Sequence, residues 1–151
     1  NYDEEVDYNQ YIFLDEPQLK WTQYNKQYST YQRELRKAYC GFRNKPLIFP
    51  NYPQSVATGG WGTGAFGGHP ELKAVIQWMA ASLAGMKELI YFPFGNEEFA
   101  NEFSQFVQKC LEHSWTVSKL QEFLASVAPI AASKSNSKPK SLFQHGIQTI
   151  S

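Results

Sequence analysis

Cysteine is scarce. Cys40 and Cys110 are the only two in 151 residues, which excludes a disulfide-built scaffold. Neither stands at a metal-ligand spacing, and both fall in predicted helices. They read as buried, reduced and inert thiols of an intracellular protein, cytoplasmic or nuclear. Charge of either sign is equally lacking in excess: 14 Lys+Arg against 14 Asp+Glu leave a formal net charge of zero. That removes the general electrostatic grip that direct nucleic-acid binding needs. No apolar run is long enough to cross a membrane, no signal-peptide pattern opens the chain, and no internal repeat occurs. Histidine is sparse too. His113 and His145 have no partners by spacing, so no metal and no cofactor is expected. The chain opens at Asn1 and not at methionine, which reads as a fragment, a processed product or the ordered part of something larger.

Aromatics, by contrast, are abundant, with 11 Phe, 9 Tyr and 4 Trp. Most belong in a core, and some face a ligand or partner. Glycine is concentrated: six of the ten lie between Gly59 and Gly68, in Thr58-Gly59-Gly60-Trp61-Gly62-Thr63-Gly64-Ala65-Phe66-Gly67-Gly68-His69-Pro70. A short apolar run, Val56-Ala57-Thr58, precedes this stretch and reads as a strand end. Pro70 follows at a first helical position, with Leu72, Val75, Ile76, Met79 and Leu83 at helical spacing. Strand, glycine loop and helix in that order aim backbone N–H groups at an anion. Gly62-x-Gly64-x-x-Gly67 matches the dinucleotide fingerprint, but its third glycine should lie in the first helical turn, and here the helix starts only at Pro70. No acidic residue ends the following strand, which closes at Phe94-Gly95-Asn96. The loop is therefore a phosphate cradle of another type, and a nucleotide-binding oxidoreductase is disfavoured.

The rest of the chain punctuates clearly. Residues 1–10 form an acidic, Tyr-rich terminus. Tyr11-Ile12-Phe13-Leu14 suits a strand buried on both faces. Trp21, Tyr24, Tyr28, Tyr31, Leu35, Ala38 and Phe42 make one stripe of a helix over roughly 21–40, with Gly41 as its stop; Ser29-x-x-Gln32 is a capping box that would instead start it midway. Arg33, Arg36, Lys37 and Arg43 lie off the stripe as a solvated basic face. Pro46, Pro50 and Pro53 make 43–54 a connection. A helix over 70–84 is followed by the strand Glu88-Leu89-Ile90-Tyr91-Phe92, ended by Pro93. Glu97 and Glu98 open the next helix, whose apolar face is Phe99, Phe103, Phe106, Val107, Cys110 and Leu111. Thr116 caps a last helix with Leu120, Phe123, Leu124 and Val127 inward. Residues 129–151, with the tract Ser133-Lys134-Ser135-Asn136-Ser137-Lys138, read as a flexible Ser/Lys-rich tail. The alternation argues for an α/β domain with a mainly parallel sheet, whose ligand lies beyond the carboxyl ends of the strands.

Three separated motifs, in order, carry a resemblance: Lys37-Ala38-Tyr39-Cys40-Gly41-Phe42, then Val56 through Gly68, then Leu72-Lys73-Ala74 with Ile76-Gln77 and Tyr91-Phe92-Pro93-Phe94-Gly95. The chain resembles the carboxyl-terminal part of the poly(ADP-ribose) glycohydrolase family over roughly residues 11–127. The resemblance implies a macrodomain-like fold, partial over 11–128, with ADP-ribose or its polymer as partner. It implies that Gly62, Thr63, Gly64, Ala65 and Gly67 wrap the diphosphate, that Phe66 packs near the terminal ribose, and that Phe94 stacks on adenine. By its own position Phe94 reads equally as a core residue at a strand end. Two positions depart from the family: Gly60 replaces an Asn, and His69 replaces an Asp and reads as a helix cap or an exposed residue. The family's Gly-Gly-Gly…Gln-Glu-Glu catalytic loop has no counterpart. Glu97-Glu98 lacks its glycines, and Glu4-Glu5 lacks its glutamine, so no catalytic residue is assigned. Two readings follow. One is a glycohydrolase whose catalytic loop lies on an upstream half of the domain; the other is a non-catalytic ADP-ribose reader, a pseudoenzyme or a structural subunit of a larger assembly.

Overall fold

The computed structural model describes residues 26–43, 55–64, 69–131 and 141–151. They form α1 (Lys26–Phe42), β1 (Ser55–Gly59), α2 (Pro70–Leu83), β2 (Glu88–Phe92), α3 (Glu97–Glu112), α4 (Val117–Ala131) and α5 (Leu142–Thr149). The strand predicted over 11–14 and the acidic terminus 1–10 lie outside the described residues. The α/β expectation is met by five helices and a two-stranded parallel sheet. β1 and β2 pair from Ser55↔Glu88 to Gly59↔Phe92, so both strands end at the same edge. Parallel pairing requires a crossover, and α2 is that crossover.

Three helices begin where local chemistry predicts. Pro70 stands at N1 of α2, and His69 is its N-cap, accepting from Leu72 N–H at 3.3 Å through Nδ1. Asn96 caps α3 by accepting from Phe99 N–H at 3.1 Å. Glu97 and Glu98 fill the first turn of α3, against the positive end of its dipole. Thr116 Oγ1 accepts from Lys119 N–H at 3.2 Å and opens α4. Within α1 the helix runs unbroken through Ser29, so the midway capping box is not used, and it ends at Phe42, just beyond Gly41.

The core lies between the helices. Leu35, Val75, Met79, Ala80, Phe106 and Phe143 are fully buried within it. The small side chains of α2, Ala74, Ala80 and Ala81, are buried and allow α1 and β2 to approach closely. The aromatic surplus becomes a connected cluster: Phe143 stacks on Phe103 at 5.1 Å between ring centres, meets Phe99 edge-on at 5.3 Å and lies 5.5 Å from Phe106. Burying rings of this size contributes roughly 1.5–3 kcal/mol each.

Three expectations are revised. Residues 142–149 are a packed helix and not part of a flexible tail: Leu142, Phe143, Gly146 and Ile150 are buried. Ser141 caps α5 by accepting from Gln144 N–H at 3.2 Å. Glu71 of α2 accepts from Phe143 N–H at 2.9 Å and from Ser141 Oγ at 3.0 Å, which sets a carboxylate at the positive end of α5. The reason lies in α3, whose aromatic face is too wide for α4 alone to cover; residues 132–140 lie outside the described residues. Leu111 is 63% exposed, because α3 has turned its face away by that position. Cys40 is exposed while Cys110 is buried, since Cys40 falls one position past the buried pair Ala38 and Tyr39.

Candidate functional site

The carboxyl ends of β1 and β2 build the site. Beyond β1 the chain makes a tight turn. Trp61 N–H donates to Gly59 O at 2.7 Å, Thr63 N–H donates to Gly60 O at 3.2 Å, and Thr63 Oγ1 donates to the same carbonyl at 2.8 Å. Gly62 has φ +70°, a left-handed conformation that a side chain would strain. A Cβ at Gly60 would meet Thr63 Oγ1 at 2.6 Å, so the Asn that the resemblance implies there would require Thr63 to shift. Among the described residues, nothing lies within 4 Å of where a Cβ at Gly64 would stand. Ala65, Phe66 and Gly67 lie outside the described residues; of the predicted diphosphate contacts, Gly62, Thr63 and Gly64 are described, and all three lie in the turn or directly after it.

Beyond β2, Pro93 ends the strand and Phe94 turns it. Phe94 has φ 51°, outside the range most non-glycine residues adopt, and Gly95 follows at φ 81°. The Phe94 ring is 86% exposed, which removes the core reading of that residue. It lies across the end of β1: a Cβ at Gly59 would come within 2.7 Å of the ring. Ala57, Thr58, Phe92, Pro93, Phe94 and Gly95 line an open groove of ≈ 450 Å³ between the strand ends. The structure thus brings Phe94 and the glycine turn, 30 residues apart in the chain, to one edge of the sheet. A strained, exposed aromatic thus stands beside the glycine turn.

Gln77 holds this edge from behind; the sequence placed it in a family-like motif without giving it a role. It is 1% exposed. Its Nε2 donates to Gly59 O at 3.0 Å and its Oε1 accepts from Thr58 Oγ1. Both groups of the amide are used to fix the last two residues of β1. The available signal was its position: a glutamine on the buried face of an apolar helix must find polar partners.

Glu34 of α1 reaches the same region. Its carboxylate accepts from Lys73 Nζ at 2.6 Å and from Lys37 Nζ at 3.1 Å, with Arg33 Nε at 3.5 Å. Burial alone would raise the Glu34 pKa, but the hydrogen bonds and charges of Lys73 and Lys37 outweigh it and hold the carboxyl below its ordinary range. Arg33 and Lys37, read from the sequence as a solvated face, are exposed yet ion-paired.

The three histidines each make a structural contact. His69 is a cap, His113 Nδ1 pairs with Lys109 O at 2.9 Å, and His145 stacks on Phe123 with 6.0 Å between ring centres. Among the described residues no group of three metal-ligating side chains occurs, and no helix is long and apolar enough to cross a membrane.

Comparison with known proteins matches residues 2–101 to the family model described as Poly (ADP-ribose) glycohydrolase (PARG), Macro domain fold. The chain is 51% identical over 65 residues to Poly(ADP-ribose) glycohydrolase 1 of Arabidopsis thaliana, covering 43% of this chain and 12% of that protein. It is 35% identical over 88 residues to Poly(ADP-ribose) glycohydrolase 1 of Caenorhabditis elegans, covering 58% of this chain and 11% of that protein. These matches therefore span only about an eighth or less of the relatives' length.

Proposed function

The chain belongs to the poly(ADP-ribose) glycohydrolase family, and we propose that it forms the ADP-ribose-binding side of such an enzyme, acting on ribose–ribose O-glycosidic bonds of poly(ADP-ribose). In this reading the diphosphate lies against backbone N–H groups of residues 62–67, and Phe66 packs near the terminal ribose. Adenine stacks on Phe94. The observation that carries it is the pairing of Gly59 with Phe92, which sets the glycine turn and an 86% exposed Phe94 side by side at the carboxyl ends of two parallel strands. Backbone N–H groups at such a junction favour an anion. A base on an aromatic ring gains roughly 1–3 kcal/mol.

Hydrolysis of a glycosidic bond needs a carboxyl group to protonate the leaving oxygen. Among the described residues, the lining of the groove contains no carboxylate. Glu97 and Glu98 are engaged with the α3 dipole by position, so the acid belongs to a loop other than these. That same observation favours a second reading, a non-catalytic ADP-ribose reader within a larger assembly. Both readings require the same binding site, and the partner that completes it is the upstream half of the domain or another protein.

Titration calorimetry with ADP-ribose tests the binding. Phe94→Ala is expected to weaken affinity by about 10-fold or more, the lower part of the stacking range. Gly64→Asp sets a like charge in the turn, clear of the other described residues, and binding is expected to be lost. Unchanged affinity in both variants, or phosphates located elsewhere in a complex, overturns the reading.

A further inference from the structure

We propose that Lys73 is a positioning residue for the glycine turn, and that the Lys73–Glu34 ion pair between α2 and α1 sets the turn's shape for its anion. The inference rests on the binding role given to that turn.

Three contacts converge on the Lys73 ammonium. It lies 4.4 Å from the centre of the Trp61 ring, a cation–π contact. It lies directly behind Gly62, where a Cβ would meet Nζ at 3.4 Å and Cε at 3.6 Å. It donates to Glu34 Oε2 at 2.6 Å. The side chains of Lys73 and Glu34 are only 14% and 10% exposed, so this contact is largely shielded from salt and water.

The arrangement has a direction. Glu34 is fixed in α1, whose neighbours Leu35 and Ala38 are buried against the core. Glu34 fixes the ammonium, the ammonium fixes the face of Trp61, and Trp61 is the corner of the turn whose N–H is tied to Gly59 O. A turn rich in glycine would otherwise sample many shapes. Held in one, its N–H groups do not have to be ordered when an anion arrives, and preorganisation of that kind increases affinity. Lys73, Lys37 and Arg33 outnumber the one Glu34 carboxylate they share, and Lys73 brings its positive charge to the turn, the sign a diphosphate requires. Lys37 shares the carboxylate, whereas Lys73 is the cation at Trp61 and Gly62, and so Lys37 serves as a control.

Hydrogen exchange measured by mass spectrometry on the full chain tests the proposal without a ligand. Lys73→Met keeps the stem and removes the charge. Exchange of the peptide over 59–64 is expected to rise at least about fivefold, the effect of losing one shielded cation–π contact. The peptide over α4, which makes none of the three Lys73 contacts, is expected to change less than twofold. Lys73→Arg, which keeps the charge, and Lys37→Met should leave 59–64 within about twofold of the parent. No rise in Lys73→Met, an equal rise in Lys73→Arg, or a rise shared equally by α4 overturns the proposal. Should Lys73→Met fail to fold, Trp61→Leu leaves the Glu34 pair intact and must raise exchange over 59–64; an unchanged value overturns the proposal in the same way. Calorimetry with ADP-ribose then separates the two claims. Absence of binding by the parent chain defeats the function proposed above and leaves the exchange result standing. Binding by the parent that persists undiminished in a folded Lys73→Met defeats the positioning role.

Discussion

At the scale of single residues, burial decides chemistry that residue type leaves open. The two cysteines are alike in the sequence. Cys110 is fully buried and its thiol is pushed up to about 12 by burial, whereas Cys40 is exposed. A thiolate is the reactive form. Native protein treated with iodoacetamide is therefore expected to take one label, on Cys40, and a second only after unfolding; two native labels would show that Cys110 is accessible. Glu34 offers a second case. Its pKa is lowered in the folded chain by Lys73 and Lys37, against the effect of burial. A depressed carboxyl pKa gives stability that is present above the unfolded value and lost as pH falls through the folded one. Glu34→Gln leaves Lys73 without its charged partner at a site only 14% exposed on the Lys73 side chain. It is expected to cost about 2–4 kcal/mol at pH 7, somewhat under the range for breaking a fully buried pair. The difference between parent and variant in urea denaturation should shrink steadily below about pH 5, and a difference independent of pH would remove the ion pair as its cause.

At the scale of elements, α5 shows how an aromatic face recruits a cover. Seen alone, Leu142-Phe143 and Ile147 to Ile150 follow a Ser/Lys tract and carry no strong period. Against α3 they complete a layer in which Phe143 touches Phe99, Phe103 and Phe106. Glu71 ties the start of α5 to the first turn of α2, and that turn follows the glycine stretch in the chain. Phe143→Ala is expected to destabilise by about 3–5 kcal/mol, the range for truncating a buried Phe. Removal of residues 141–151 should expose α3 and lower the melting temperature by several degrees or more. A melting temperature unchanged by that truncation would return the segment to the status of a loose tail.

At the scale of the whole molecule, the described sheet is covered on one side only. Ala57, Ile90 and Phe92 alternate outward and are exposed, while Val56, Leu89 and Tyr91 turn toward the helices. Apolar side chains on a two-stranded sheet, continuous with the exposed Phe94, form a surface that invites a partner. On the proposed reading the general acid lies on a loop other than those that line this edge. The 151-residue chain alone is accordingly expected not to release ADP-ribose from poly(ADP-ribose) at a useful rate, since loss of general acid–base assistance alone costs about 10²–10⁴ in rate. The measurement is product release by the purified chain, with and without an upstream segment. Turnover by the isolated chain that disappears in Glu97→Gln or Glu98→Gln would make that pair catalytic after all.

Local signals settled much of this protein in advance. Pro70 as a first helical residue, Thr116 as a cap, Glu97 and Glu98 in a first turn, the two strands and the glycine turn between strand and helix are all consequences of interactions within a few residues, and the linear pattern carries them in full. The inward faces of α2 and α4 follow from periodicity for the same reason. Tertiary structure decided whatever depends on residues far apart in the chain. Phe94 is equally a core residue or a platform until β2 pairs beside β1 and leaves its ring in solvent over Gly59. Gln77 is a helix residue until its amide meets Thr58 and Gly59. Lys73 and Glu34, 39 positions apart, have no common signal in the sequence, because an ion pair between two helices depends on how the helices cross, and that crossing is set by the small side chains between them. The fate of 142–150 belongs with these: its weak pattern becomes a core element only because α3 presents a face that nothing nearer in the chain fills.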